Sequence, residues 1–104
     1  MNIEKLYKNL CRKAFHISPI KAQVRFKKLK KLLASADYWQ GPSGEGISGL
    51  RIKVLKKLRF SNALVAQCLI HEITHVVSRQ SKHNDKFYAV YFKAAETKFG
   101  RRFF

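Results

Sequence analysis

Five consecutive residues, His71-Glu72-Ile73-Thr74-His75, have the types and spacing of a metal site with a neighbouring base. Histidines four positions apart lie on one face of a helix, where both imidazoles can bind the same metal ion. Glu72 directly follows His71 on the same helix, so its carboxylate can reach a water on that metal without being a ligand. The pattern predicts a divalent metal. Two imidazoles favour zinc and leave manganese, cobalt and iron open.

The residues before this pattern predict that it lies on a buried helix. The segment from Ala63 to Ile70 is apolar on nearly all sides, so its helix is expected to cross the core. Two imidazoles and a carboxylate buried there without partners would cost several kcal/mol. A bound metal supplies the missing partner. The alternative is a patch of solvated polar side chains, which this apolar setting disfavours.

Catalytic zinc sites use three protein ligands and keep one position for water. The third ligand is expected downstream, and the sequence offers three candidates. His83 follows His75 by eight residues in a polar stretch and is the preferred one. Glu96 and Asp85 are the alternatives. His16 is interpreted as a residue at the end of a helix rather than as a ligand.

Hydrophobic periodicity predicts helices and strands in an order typical of an α+β fold. A chain of 104 residues suits one domain, here residues 1–104. The Gly41–Gly46 stretch is expected to be a turn or loop. The expected elements are a helix from Asn2 to Phe15, a strand within Ile20 to Leu33, strands at Ser35 to Gln40 and Ile47 to Leu55, a helix from Ser61 or Asn62 to about Val77, and a last helix from near Asn84 to before Gly100.

The charge is strongly basic, with 22 Lys and Arg against 6 Asp and Glu and a net charge of +16. This composition excludes an EF-hand or a carboxylate cage for magnesium and favours a polyanionic partner. DNA contacts would go mainly to phosphates, so binding would tolerate many sequences and weaken with salt. Trp39, Tyr38 or Phe104 could stack on bases, although core packing is expected for the first two. The candidate nucleic-acid-binding residues are Lys27, Lys28, Lys30, Lys31, Lys53, Lys56, Lys57 and Arg59, with Arg101 and Arg102 at the end of the chain.

The cysteines and the apolar runs bear on the compartment. Cys11 and Cys68 share no metal-ligand spacing and are expected to be reduced and buried. No apolar run is long enough for a membrane span, and the first residues lack the apolar stretch of a signal peptide. We therefore expect a cytoplasmic protein without a membrane partner. Association with the nucleoid and a phage origin are both compatible with this expectation.

The segment from Ile70 to His75, followed by His83 and Phe87, resembles the SprT-like zinc metallopeptidases. That family includes the Spartan-type proteases, which degrade proteins crosslinked to DNA. The resemblance implies a minimal zincin-like fold, with an N-terminal helix, a small three-stranded sheet, the His-Glu-x-x-His helix and a closing helix. The sequence departs from the family at Asn84, where glycine is frequent. It also lacks a cysteine-rich zinc ribbon, which suits a phage or mobile-element gene.

The resemblance implies that His71, His75 and His83 bind Zn²⁺ and that Glu72 is the general base of peptide hydrolysis. It also implies a protein or peptide substrate, DNA-bound or DNA-crosslinked. Tyr88 or Tyr91 could stabilise the oxyanion, although core packing is favoured for both. One alternative is a non-catalytic, basic nucleic-acid-binding protein with a structural or vestigial zinc site. Another is a peptidase with a single host-protein target.

Overall fold

The computed structural model describes residues 2–40 and 47–99. The predicted α+β class is confirmed, and the helices and strands fall close to their predicted positions. A short 3₁₀ segment, Lys56–Phe60, was not expected. The predicted loop at 41–46 and the residues after Phe99 lie outside the described residues. The elements are α1 (Ile3–Lys13), β1 (Ala22–Lys27), β2 (Ala34–Gln40), β3 (Ile47–Leu55), α2 (Asn62–Ser78) and α3 (Asp85–Phe99).

The first helix starts at an asparagine cap and is fastened to the sheet by a tyrosine. The Asn2 side chain accepts a hydrogen bond from the Lys5 amide (3.1 Å), which satisfies a free donor at the start of α1. The buried face of α1 includes Tyr7 and Leu10. The Tyr7 hydroxyl donates to the carbonyl oxygen of Ile20 (2.7 Å). This bond fixes α1 against the segment that leads into β1.

The sheet has the order β1-β3-β2, so the last strand in sequence is central. β1 runs parallel to β3, whereas β2 runs antiparallel to it. Alternation gives the sheet two different faces. Val24, Ile52 and Val54 are at most 1% exposed on the inner face, which packs against the helices. Arg25 and Arg51 are exposed on the outer face.

Two aromatic residues of β2 lie outside the core, contrary to expectation. Tyr38 is 39% exposed and Trp39 is 51% exposed. Both belong to an edge strand, which has a neighbour on one side only in the described sheet. The indole of Trp39 lies against Gly49 of β3. Any residue other than glycine at position 49 would place its β-carbon in the volume that this ring occupies. The edge position, together with this glycine, keeps the ring on the surface.

The long helix α2 crosses the core as its apolar sequence predicts. The Ser61 hydroxyl caps it by accepting from the Leu64 amide (3.3 Å). Leu69 and Ile73 are at most 1% exposed. Cys11 is buried and Cys68 half-buried, and both are free thiols as predicted. None of the described helices combines the length and apolar character needed to cross a bilayer.

Candidate metal centre

Three histidine side chains converge at the C-terminal half of α2 and the turn that follows it. His71 and His75 are one helical turn apart on α2, and His83 lies in the connection to α3. The Nε2 atoms of His71 and His75 are 3.2 Å apart. The Nε2 atom of His83 lies 3.1 Å from that of His71 and 3.3 Å from that of His75. The three ring nitrogens therefore form a nearly equilateral triangle.

The size of this triangle fits a single metal ion. Nitrogen ligands at the zinc distance of about 2.0–2.1 Å in a tetrahedron lie about 3.3–3.4 Å from one another. The observed separations are close to this value, and the three residues form a group able to hold a metal. Such a geometry leaves a fourth position open on the side away from the imidazoles. The donor set fits zinc without excluding neighbouring divalent metals.

A backbone carbonyl fixes the protonation of one imidazole. His75 Nδ1 lies 2.7 Å from the carbonyl oxygen of Gln80. A carbonyl oxygen can only accept, so Nδ1 carries the proton and donates it. The lone pair of the neutral ring is then on Nε2, the atom that faces the other two histidines. This carbonyl contact orients His75 as a metal ligand.

The turn after α2 brings His83 back toward the helix. Arg79 ends α2 in the left-handed conformation, with φ 56° and ψ 34°. Asn84 then starts α3, because its side-chain oxygen accepts from the Phe87 amide at 3.0 Å. The side-chain nitrogen Nδ2 of Asn84 donates to the side-chain oxygen of Gln80 (2.7 Å). His83 is thus held between two residues that bond to each other.

The apolar ring of Phe87 packs against all three imidazoles. Its ring centroid lies 5.2 Å from that of His71, 4.6 Å from His75 and 4.9 Å from His83. The ring is 1% exposed. In the sequence, Phe87 was singled out by the resemblance, as the aromatic residue after His83. The structure adds that it contacts every member of the histidine group.

Burial keeps the first histidine neutral. The pKa of His71 is lowered to about 4, mainly by burial and further by the neighbouring His75 and His83. A neutral imidazole offers the lone pair that a metal needs. The low pKa is therefore in the direction that favours metal binding at neutral pH.

Glu72 lies beside this group, with 7% of its surface exposed. Burial, and then the carboxylate of Asp37, raise the pKa of Glu72 to about 7. Among the described residues, none donates a hydrogen bond to its carboxylate. A carboxylate in such an environment has the proton affinity of a general base or acid near neutral pH.

A recess of about 350 Å³ opens beside His71 and Glu72. Its walls come from the segment that leads into β2, from α2 and from α3, and they are mostly apolar. They include Leu33, Cys68 and Tyr91. The ring of Tyr91 lies 6.2 Å from that of His71. The histidine group and the carboxylate thus border a space that can accept an apolar side chain.

The other metal-ligand candidates do not join the group. Asp85 is exposed at the start of α3, and Glu96 is exposed about three turns further along that helix. His16 is exposed just after α1, with a positive φ of 56°. The geometry therefore supports His83 as the third ligand.

The structure divides the predicted basic residues among three places. Lys27, Lys28, Lys53, Lys56, Lys57 and Arg59 line two depressions on the outer side of the sheet and next to the 3₁₀ segment. Lys31 instead lines the recess beside Glu72, and Lys30 is exposed outside these depressions. Sequence reasoning missed Arg25 and Arg51, which line the first depression. Neither belongs to a run of cations, and their proximity depends on the pairing of β1 with β3.

The fold is similar to those of two archaeal proteins whose crystal structures are described as metallopeptidase zymogens. Pyrococcus abyssi abylysin aligns over 88% of this chain and 77% of its own, with a TM-score of 0.61 and 22% identity. Methanocaldococcus jannaschii jannalysin aligns over 98% of this chain and 86% of its own, with a TM-score of 0.60 and 14% identity. No family model and no curated protein matches the sequence. The comparisons show that this chain shares its fold with these two proteins, and they do not single out the SprT-like family.

Proposed function

We propose that this protein is a zinc-dependent peptidase. The observation that carries the proposal is the triangle of imidazole nitrogens next to the buried carboxylate of Glu72, at the edge of an open recess. The similarity in fold to two metallopeptidase zymogens supports the same reaction class. A purely structural zinc site is closed by four protein ligands, whereas this group supplies three.

The proposed chemistry assigns one task to each polar group. When held by His71, His75 and His83, zinc supplies a Lewis acid that acidifies water and polarises a peptide carbonyl. Glu72 takes the proton from the attacking water and returns it to the leaving amine. The Gln80 carbonyl holds His75 in the tautomer that keeps its Nε2 lone pair available.

The substrate would bind between the recess and the free side of β2. In the described sheet, β2 has a neighbour on one side only, so its other edge can pair with an extended peptide. The mostly apolar recess would then receive one substrate side chain near the scissile bond. We therefore expect preference for a hydrophobic residue next to the cleavage site.

We further propose that the substrates are proteins bound or crosslinked to DNA. The support is the net charge of +16, which favours association with a polyanion. The test compares cleavage of one basic protein, free and bound to DNA, at the same concentration. Faster cleavage of the bound form is expected. Equal rates with and without DNA would point to a peptidase whose substrate is recognised without DNA.

Glu72→Gln tests the peptidase itself. The variant is expected to keep about one zinc per chain and to lose cleavage of an unstructured protein by at least about 100-fold. Glu4→Gln, an exposed change of the same type on α1, is the matched control and should match the wild type. Metal content by elemental analysis and cleavage products by mass spectrometry give the two readouts.

Two results would contradict the proposal. Undiminished cleavage by Glu72→Gln would remove this residue from the mechanism. Full zinc occupancy with no cleavage by the wild-type protein, across unstructured and DNA-bound substrates, would favour the non-catalytic alternative with a structural zinc site.

A further inference from the structure

The outer face of the sheet carries cations at successive outward positions of two adjacent strands. The parallel register places Arg25 opposite Lys53 and Gln23 opposite Arg51. Like charges directly opposite one another destabilise a sheet. On β2, Asp37 lies opposite Arg51 and borders this face. The like-charge pair of Arg25 and Lys53 costs stability rather than adding to it, which suggests that these cations serve a ligand.

Three neighbouring depressions along this face share lining residues and are here together called the basic groove. The central depression, of about 400 Å³, is lined by Arg25 and Arg51 among others. It shares Lys28 and Leu29 with a second depression of about 510 Å³, next to the 3₁₀ segment. It shares Gln23 with a third depression of about 200 Å³. Among the described residues, every charged side chain that lines the basic groove is Lys or Arg.

An exposed aromatic ring lies at each end of the basic groove. Phe60, at one end, is 82% exposed, and the Arg59 guanidinium lies 4.5 Å from its ring centroid. Trp39, at the other end, is 51% exposed, and its indole lies against Gly49. A large apolar ring held at the surface contributes little to the core. Both rings are placed where a molecule in the groove would reach them.

We infer that the basic groove binds single-stranded nucleic acid. Proteins that bind single strands without sequence preference combine a cationic track for the phosphates with aromatic rings on which bases stack. The basic groove has both features in that arrangement. This inference deepens the proposed action on DNA-bound proteins and rests on it for its role, although binding can be tested without peptide hydrolysis.

The position of the groove keeps the candidate metal centre accessible. The helix α2, which carries His71 and Glu72, packs against the inner face of the sheet, whereas the groove runs along the outer face. The segment 28–33 connects the two sites, since Lys28 lines the groove and Leu33 lines the recess. A nucleic acid and a peptide can therefore be bound at the same time.

The experiment measures binding of a labelled oligothymidylate to the full chain carrying Glu72→Gln. A length of about 12 nucleotides falls within the usual site sizes of 4–16. Fluorescence anisotropy over a range of salt concentrations gives affinity and its salt dependence. Trp39 is the chain's single tryptophan, so quenching of intrinsic fluorescence reports stacking at one end of the groove.

Two variants with equal net charge locate the site. Arg25→Gln/Arg51→Gln is expected to weaken binding at least about tenfold and to reduce the slope of log affinity against log salt by about 1.4, or 0.7 for each lost phosphate contact. Arg12→Gln/Lys93→Gln removes two exposed cations from α1 and α3 and should change affinity less than about threefold. Phe60→Ala should weaken binding about tenfold while leaving the salt slope unchanged, because stacking is not ionic.

Several outcomes would overturn the inference. Equal losses in the two double variants, with unchanged thermal stability, would assign binding to net charge rather than to the groove. Equal affinity for a duplex of the same length, together with no quenching of Trp39, would exclude stacking of single-strand bases. Binding to vesicles of anionic lipid but not to the oligonucleotide would assign the face to a membrane. If the oligonucleotide binds but the wild-type protein cleaves no protein substrate, the groove is confirmed and the peptidase is refuted.

Discussion

Asn84 links the helix start of α3 to the loop that carries His83. Its side-chain oxygen accepts from the Phe87 amide, and its side-chain nitrogen donates to Gln80. The carbonyl of Gln80 in turn orients His75. One asparagine, at a position where glycine is frequent in the family that the sequence resembles, therefore supports two of the three imidazoles. Contacts of this kind around metal ligands commonly change metal affinity when they are removed.

Replacing Asn84 with alanine tests this support. We expect the free energy of unfolding to fall by about 1 kcal/mol through the lost cap and zinc affinity to fall by about tenfold or more. Ser61→Ala is the matched control, because it removes the cap of α2 without a link to the ligand loop. Competition with a zinc chelator measures affinity, and urea unfolding measures stability. Equal zinc affinity in the two variants would show that Asn84 acts only as a cap.

Tyr91 lines the recess with His71 and Glu72, so we propose its hydroxyl as the donor to the oxygen of a reacting carbonyl. We expect Tyr91→Phe to lower kcat by about tenfold or more, with little change in KM or zinc content, because oxyanion stabilisation acts in the transition state. Tyr88→Phe is the control, since Tyr88 is 41% exposed on the same helix. A larger loss of kcat in Tyr88→Phe would transfer the role to Tyr88.

At the scale of the elements, the sequence predicted the bounds of helices and strands where these depend on residues close together in the chain. The bounds of α2 follow from an apolar run between a serine cap and a polar stretch, and β3 has the predicted limits Ile47–Leu55. The 3₁₀ segment and the strand order β1-β3-β2 were not predicted, because they depend on pairing between distant parts of the chain. The exposure of Trp39 likewise depends on the position of β2 at the edge of the sheet. Its residue type alone had predicted burial.

The same distinction applies within the candidate metal centre. His71, Glu72, His75 and His83 were found from residue type and spacing, since a metal site needs particular side chains. The Gln80 carbonyl that orients His75 is a backbone group, so the identity of residue 80 carries no sign of it. Arg25 and Arg51 were missed because neither belongs to a run of cations. They become neighbours only when β1 pairs with β3.

The contact between α1 and the segment leading into β1 predicts a loss of stability at high pH. Burial, and then Cys11, raise the pKa of Tyr7, whose hydroxyl donates to Ile20. An unfolded tyrosine loses its proton near pH 10, whereas the folded protein retains it. Ionisation of Tyr7 should therefore leave the free energy of unfolding unchanged below pH 10 and lower it above pH 10, by up to about 1.4 kcal/mol per pH unit.

Tyr7→Phe isolates this effect by urea unfolding between pH 8 and 11. The variant should lose about 1 kcal/mol at pH 8 through the missing hydrogen bond, and its stability should fall less steeply above pH 10. Tyr38→Phe, which changes an exposed tyrosine on β2, is the control and should follow the wild type. Parallel curves for all three proteins would refute the prediction.

At the scale of the whole molecule, the sheet separates two regions of different chemistry. The inner side holds the core, the histidine group and the mostly apolar recess, and the outer side holds the basic groove. A high net charge destabilises a compact state through self-repulsion. The histidine group offers a compensating source of stability, because its ligands come from α2 and from the loop before α3. A metal that binds both holds the second half of the chain together.

Removal of zinc should therefore lower the melting temperature. A ligand that binds only the folded state adds about 2.7 kcal/mol when its free concentration is 100 times its Kd. For a domain of this size, that corresponds to a shift in Tm on the order of 10 °C. Calorimetry with and without a chelator should show this shift for the wild type and for Glu72→Gln, whose imidazoles are intact. In His83→Ala the shift should be much smaller, because a site with two histidines retains little affinity. If the chelator removed the zinc and left the wild-type Tm unchanged, the metal would be bound without holding α2 and α3 together, and the ligand loop would be formed in its absence.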